Sequence, residues 1–338
     1  MKTTLLSNAR FDTWSGRLVR RLRRRYNDRC ITVLTYHSIA REPDVFTAGT
    51  GVRHHPHTLE RHMEYLSEHY RPVGLPELVS SLEQGRQPAR SVVLTFDDGY
   101  ADSIRRALAI LYRWRIPMTI FPVTSVIGNV DLMWQHKLAW LVAEGHTQKV
   151  WDALRAEGWD IDDETDGSVE DYVRQHYRPI LPELLEAVLR SVGKSGAALA
   201  AKHRPYLEPE EIATADPEFV SFGNHTDTHP VLSALSEEQQ ALEITTARRK
   251  LTDLAGRPPV ALAYPFGLKR QYDEASRRIA RETGHRAALD MRRRMNVGVV
   301  DPMDLSRKPA PHDSQLTFEK MMEDWPVNAH LAPPGEGR

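Results

Sequence analysis

Residues 91–100 read Ser-Val-Val-Leu-Thr-Phe-Asp-Asp-Gly-Tyr. Ser91–Phe96 is a short apolar, β-branched run of the kind that a parallel sheet buries on both faces, and it stops at two carboxylates and a glycine. Asp-Gly is a common turn pair, yet a buried strand needs no double acid to end. The C-terminal edge of such a strand is where α/β folds place their sites. Two like charges this close cannot both stay ionised cheaply. A metal ion on one carboxylate, with its neighbour free as a base, resolves the conflict.

The same rhythm recurs on both sides of this stretch. Ile31–Tyr36, Pro117–Val123, Phe219–Phe222, Val260–Tyr264 and Ala287–Leu289 all have strand character. Between them lie helical spacings: Leu59, His62, Met63 and Leu66, then Ile104, Ala107, Leu108 and Leu111. A capping box at Ser236–Gln239 opens a helix that Gly256 stops, and Asp273–Thr283 is a further helix ending at Gly284. Strands alternating with helices predict parallel β/α units, for which an open sheet and a barrel both fit.

Composition narrows the function classes. The 338 residues are 41% hydrophobic and 27% charged, with 45 Lys+Arg against 46 Asp+Glu, which excludes bulk disorder and a chain-wide nucleic-acid surface. Cys30 is the sole cysteine, so any metal must be held by histidines and carboxylates. No run approaches the ~20 apolar residues of a membrane span. The first residues also lack the roughly 7–15-residue apolar core of a secretory signal, so the expected location is cytoplasmic.

Residues 1–30 form a basic arm (Arg17, Arg20, Arg21, Arg23, Arg24, Arg25, Arg29), either a solvated tail or a peripheral contact with the inner face of a membrane. From about 124 to 217 the strand signal fades into a mostly helical insertion. It contains Trp134, Trp140, Trp151 and Trp159 and the acidic patch Asp160, Asp162, Asp163, Glu164 and Asp166. Such an insertion either covers the body of the fold or serves it as a lid. Residues 331–338 read as a disordered tail.

Three further strand ends carry polar or Gly/Pro-marked residues. His225 and His229 lie four apart in His-Thr-Asp-Thr-His-Pro, and Pro230 favours a loop over a helix there. With 15 histidines in the chain such a pair is common by chance, and its position after a strand is the added signal. Tyr264-Pro265-Phe266-Gly267 and Tyr36-His37-Ser38 end two more strands. In a barrel all four ends converge on one face.

The motifs TFDDGY (95–100), HTDTH (225–229) and YPFG (264–267), in this order, resemble the polysaccharide deacetylase family, that is, the NodB-homology domain of carbohydrate esterase family 4. The resemblance covers about residues 31–123 and 218–323 and leaves the insertion unmatched. It implies an α/β fold, a distorted (β/α) barrel spanning about residues 31–330, and metal-dependent removal of N-acetyl groups from amino sugars.

Carried over, it makes Asp98, His225 and His229 metal ligands and Asp97 the general base, with the Phe266 N–H holding the oxyanion beside Tyr264 and Pro265. The metal is then Zn²⁺, with Fe²⁺, Co²⁺ or Mn²⁺ as alternatives. Tyr36-His37 is similar to the permuted branch acting on poly-N-acetylglucosamine, which makes His37 the catalytic acid; His312 matches the C-terminal pattern of other members poorly. Where many members carry an arginine ahead of the proline motif, this chain has Ala263. The resemblance then implies a slower reaction, or another residue in the arginine's role. The expected partner is an N-acetylated oligo- or polysaccharide, chitooligosaccharide-like or poly-N-acetylglucosamine-like, free or linked to a lipid or nucleotide, and not nucleic acid. A non-catalytic glycan-binding barrel that retains the metal site is the alternative.

Overall fold

A computed structural model describes residues 30–48, 51–161, 167–292, 294–312 and 314–328. The arm expected over residues 1–29, the tail 331–338 and the acidic residues Asp162, Asp163, Glu164 and Asp166 lie outside the described residues. Among the described residues no helix is long and apolar enough to cross a membrane.

Eight short strands build the centre: β1 (Thr32–Tyr36), β2 (Ser91–Asp98), β3 (Met118–Pro122), β4 (Val220–Phe222), β5 (Ala261–Ala263), β6 (Ala287–Asp290), β7 (Leu305–Ser306) and β8 (Lys308–Pro309). All pair in parallel. Leu34 lies opposite Leu94, Leu94 opposite Met118, and Met118 opposite Val220. A second ladder aligns Ala261 with Ala287 and Leu289 with Leu305. Asn224 stitches β4 to β5: its N–H donates to the Ala261 carbonyl, and its own carbonyl accepts from Ala263 N–H, both at 2.9 Å. β7 and β8 are one strand that leaves β6 at Arg307 and joins β1, with Leu34 opposite Lys308. The ring therefore closes, giving the distorted (β/α) barrel, and the step at Arg307 is where the distortion lies.

Strand alternation decides what fills the barrel. Ile31, Val33, Val93, Ala261, Ala287 and Leu305 form an inner apolar plug. Their neighbours Leu34, Tyr36, Leu94, Phe96 and Ile120 pack outward under the helices Pro56–His69 (α1) and Leu108–Trp114. Above the plug come Thr35, Thr95, Thr119 and Ser221, bonded across the strands as Thr35–Thr95 (3.3 Å) and Thr119–Ser221 (2.8 Å). The next inward positions are His37 and Asp97, one alternation beyond Thr35 and Thr95, and His225, two alternations beyond Ser221. Period two therefore aims these side chains at one opening.

Helix α1 buries Leu59, His62, Met63 and Leu66, as its spacing predicts. The Ser236–Gln239 capping box and the left-handed Gly256 bound the helix Glu237–Ala255. Between 124 and 217 the described residues form six α-helices, among them Trp134–Ala143, Val169–Gln175 and Leu181–Ser191. They have their own core, in which Trp134, Trp140, Leu185 and Tyr206 pack against Phe46 and Val231.

Asn224, just ahead of the HTDTH loop, is held by a buried histidine. His285 Nε2 accepts from Asn224 Nδ2 (3.1 Å), while its Nδ1 faces the Ala280 carbonyl (3.2 Å). Burial, helped by the charge of Arg248, pushes this imidazole down to about 4. The unfolded chain, with a histidine value of ~6.5, takes up the proton first, so the stabilisation is complete above that value and is lost as pH falls towards the folded one. The stability gap between wild type and His285→Gln, which cannot titrate, should shrink by about 2 kcal/mol between pH 7 and pH 5 in denaturant melts. An unchanged gap would show that His285 does not control the acid response.

Candidate metal and active site

The Asp97-Asp98 pair sits at the end of β2, which runs through both residues rather than stopping at Phe96: Asp97 lies opposite Phe121 and Asp98 opposite Pro122. Adjacent strand residues normally face opposite ways. Asp98 escapes this because its φ is 67°, a left-handed conformation that swings its carboxylate back to the side of Asp97. Gly99 follows at φ 74°, where a Cβ would come within 2.9 Å of the Pro122 backbone, so only glycine fits. Thr226 (65°), His229 (59°) and Phe266 (59°) share this uncommon conformation. Each costs of order 1–2 kcal/mol, and such strain collects at functional sites.

The HTDTH loop is pinned from below. Glu243 accepts from the Asp227 and Thr228 N–H groups (2.9 and 2.8 Å) and from the Thr228 hydroxyl (2.7 Å), and Lys250 pairs with Asp227 at 2.7 Å. His225 Nδ1 lies 2.8 Å from the Ala263 carbonyl. A carbonyl only accepts, so the proton sits on Nδ1 and Nε2 presents its lone pair to the cavity. That Nε2 is 3.6 Å from Asp98 Oδ1 and 3.8 Å from Asp97 Oδ2, and His229 Nε2 is also 3.6 Å from Asp98 Oδ1.

Asp98, His225 and His229 thus place one ligand atom each within 4.8 Å of one another. Burial, and then the charge of Asp97, raise the Asp98 carboxyl to about 8, while burial lowers both imidazoles. A carboxylate facing the Nε2 atoms of two buried imidazoles is a donor set that suits a divalent cation, and two histidines with one carboxylate suit Zn²⁺ among others.

Asp97 behaves in the opposite way. Burial alone would raise its carboxyl, but the charge of Arg307, then those of His225 and His37, and the Arg307 hydrogen bond hold it down at about 2. Arg307 Nη1 donates to Asp97 Oδ1 at 2.7 Å and reaches Thr95 Oγ1 at 3.3 Å, and the guanidinium is only 1% exposed. The ion pair that Ala263 cannot make is therefore supplied from the β7–β8 step. Nothing in Leu305-Ser306-Arg307-Lys308-Pro309 marks this arginine in the sequence.

The structure brings Asp97, Asp98, His37, His225, His229 and Phe266 to one opening. His37, half-buried, feels the charges of Asp97, Arg307 and His225, and burial lowers its imidazole to about 4. The Phe266 ring lies 4.8 Å from that of His229. Tyr264 does not join them. Its ring stacks on Tyr272 (4.0 Å) in the outer core, because β5 alternation turns it away from the barrel interior. Pro265 is buried and shapes the turn through its carbonyl, which accepts from Gly267 N–H. His312 lies at the surface, stacked on His54 at 3.9 Å.

On the far side of the opening stands the first helix of the 124–217 segment, Trp134–Ala143 (α4, after α1 and two helices, Leu75–Glu83 and Leu108–Trp114). Trp134 Nε1 donates to the His229 carbonyl at 3.0 Å, and the Gln135 amide meets His229 Nδ1. Arg174, from the helix Val169–Gln175, lies 6.0 Å from the centre of the Phe266 ring.

Known proteins are similar to this chain in sequence or in fold. The polysaccharide deacetylase-like protein YxkH of Bacillus subtilis is 27% identical over 117 residues, 34% of this chain and 39% of that protein's length, so the match spans well under half of that relative. The Streptococcus pyogenes deacetylase PplD, solved with acetate, superposes with a TM-score of 0.55 at 16% identity, over 87% of this chain and 98% of its own. IcaB from Ammonifex degensii gives 0.54 at 16% identity over 88% and 96%. At these identities the two structures bear on the fold, and both share it. The family model for polysaccharide deacetylases matches residues 84–288, more than half of the chain. The chain belongs to the polysaccharide deacetylase family.

Proposed function

We propose that this protein is a metal-dependent hydrolase that removes the acetyl group from an N-acetylated amino sugar within an oligo- or polysaccharide. The observation that carries this reading is the split between two adjacent carboxylates, one ion-paired to Arg307 and the other facing the Nε2 atoms of two imidazoles. Asp98, His225 and His229 would hold the cation. Bound there, a divalent ion polarises an amide carbonyl and makes water acidic enough to be deprotonated near neutral pH.

Asp97 acts as the base. Its Oδ1 is committed to Arg307, which leaves Oδ2 turned towards His225 and free to take a proton from water. The Phe266 N–H, which makes no hydrogen bond among the described residues, is available to a developing oxyanion. His37 is the acid for the departing amine. Burial keeps its imidazole neutral near neutral pH, so the proton that it passes on is the one released by the attacking water and taken up first by Asp97.

Sugar identity follows the resemblance of Tyr36-His37 to the poly-N-acetylglucosamine branch, and chitooligosaccharide-like chains are the first substrates to try. A cytoplasmic location, with the basic arm near the membrane and a lipid- or nucleotide-linked substrate, completes the proposal.

Acetate release from N-acetylglucosamine oligomers tests it. Activity should vanish on chelation, return with Zn²⁺, Co²⁺ or Mn²⁺, and fall by at least about 10²-fold in Asp97→Asn, which should still bind metal. Metal-loaded wild type that releases no acetate from any N-acetyl sugar would overturn the reading.

Arg307 makes a separate prediction. Removing its charge lets the Asp97 carboxyl rise, so the acid limb of kcat/KM against pH should move to higher pH in Arg307→Met and stay nearer its place in Arg307→Lys. The Met variant also leaves a buried charge without its partner, and should lose roughly 3–5 kcal/mol of stability. An acid limb that does not move in either variant would show that Arg307 does not set the base.

A further inference from the structure

The 124–217 segment does more than cover the barrel, because its first helix touches a metal ligand. His229 is gripped at two points by consecutive residues of α4: Trp134 Nε1 holds its backbone carbonyl at 3.0 Å, and the Gln135 amide sits against Nδ1. The tryptophan grip is buried and the glutamine grip partly so, and His229 needs them because its backbone is held at φ 59°. The contact runs through the Gln135 amide nitrogen, and the amide oxygen is buried with no hydrogen-bond partner.

A half-turn of the amide exchanges these two atoms, and the two orientations specify different imidazoles. With nitrogen towards Nδ1, the ring must accept there and carry its proton on Nε2, facing Asp98. With oxygen towards Nδ1, the proton sits on Nδ1 and the Nε2 lone pair is free for a cation. His225 is already fixed in the second form by the Ala263 carbonyl. The His229 ring meets no carbonyl of another residue among the described residues, only its own backbone, and Gln135 is the side-chain acceptor placed to do the same for it.

We propose that Gln135 is a positioning residue for the metal ligand His229, its amide oxygen accepting the Nδ1 proton so that Nε2 faces the cation. The helical segment thereby supplies one wall of the metal site. This rests on the reading of Asp98, His225 and His229 as the metal ligands. Metal-bound histidines commonly pass their second N–H to such an acceptor, and loss of the acceptor costs about 10- to 100-fold in affinity.

The test is the dissociation constant for Zn²⁺ and Co²⁺, measured against a chromogenic chelator together with the Co²⁺ visible spectrum. Gln135→Met, close in volume and without an acceptor, should bind about 10- to 100-fold more weakly and alter the spectrum. Gln135→Glu can only accept, and should bind as tightly as wild type or tighter. A Met variant with wild-type affinity overturns the proposal. So does a Glu variant weakened tenfold, whether or not the Met variant folds. Wild type that binds neither ion would instead sink the metal-site reading itself, and wild type that binds metal but releases no acetate would sink only the proposed reaction.

Discussion

Two carboxylates side by side, largely buried at the opening of the barrel, are the constraint on which this structure turns. Their repulsion has to be cancelled from outside the strand that carries them, and the chain cancels each in a different way. Arg307 neutralises Asp97 and keeps it ionised, which a base requires. Among the described residues no lysine or arginine is paired with Asp98. It faces two imidazoles instead, and remains protonated near neutral pH until a cation takes the proton's place. Like charges are thus separated into two roles by their surroundings alone.

Strand parity then does most of the positioning. His37, Asp97 and His225 each continue the inward-facing series of their strand, above a threonine and serine layer and an aliphatic plug. A one-residue register slip would turn each of them into the outer core. Residues that parity cannot deliver, namely Asp98, His229 and Phe266, reach the opening through left-handed backbone conformations. The tight turn at Gly99 and the clamp of Glu243 on the HTDTH loop hold those conformations in place.

Much of this was legible in the sequence. The β-branched runs, each ending in a polar or Gly/Pro motif, marked the strands and the face of the barrel that matters, and the capping box at Ser236 and the stop at Gly256 set the helix Glu237–Ala255. The limits are equally physical. Leu305–Pro309 is too short and too mixed to read as a strand, so the barrel's closure and Arg307 stayed hidden, although Ala263 had already signalled that an arginine was missing. Tyr264 carried a motif position but not a site position, because alternation along Ala261–Tyr264 turns its ring outward. Gln135 belongs to a helix whose proximity to His229 is a tertiary fact with no local signature.

Structure determination of the zinc-loaded protein addresses the account most directly. The account predicts one ion bound by Asp98 and by Nε2 of both His225 and His229, with the Asp97 carboxylate outside the coordination sphere and still paired to Arg307. An ion held elsewhere, or one that draws Asp97 away from Arg307 into its coordination, would contradict it.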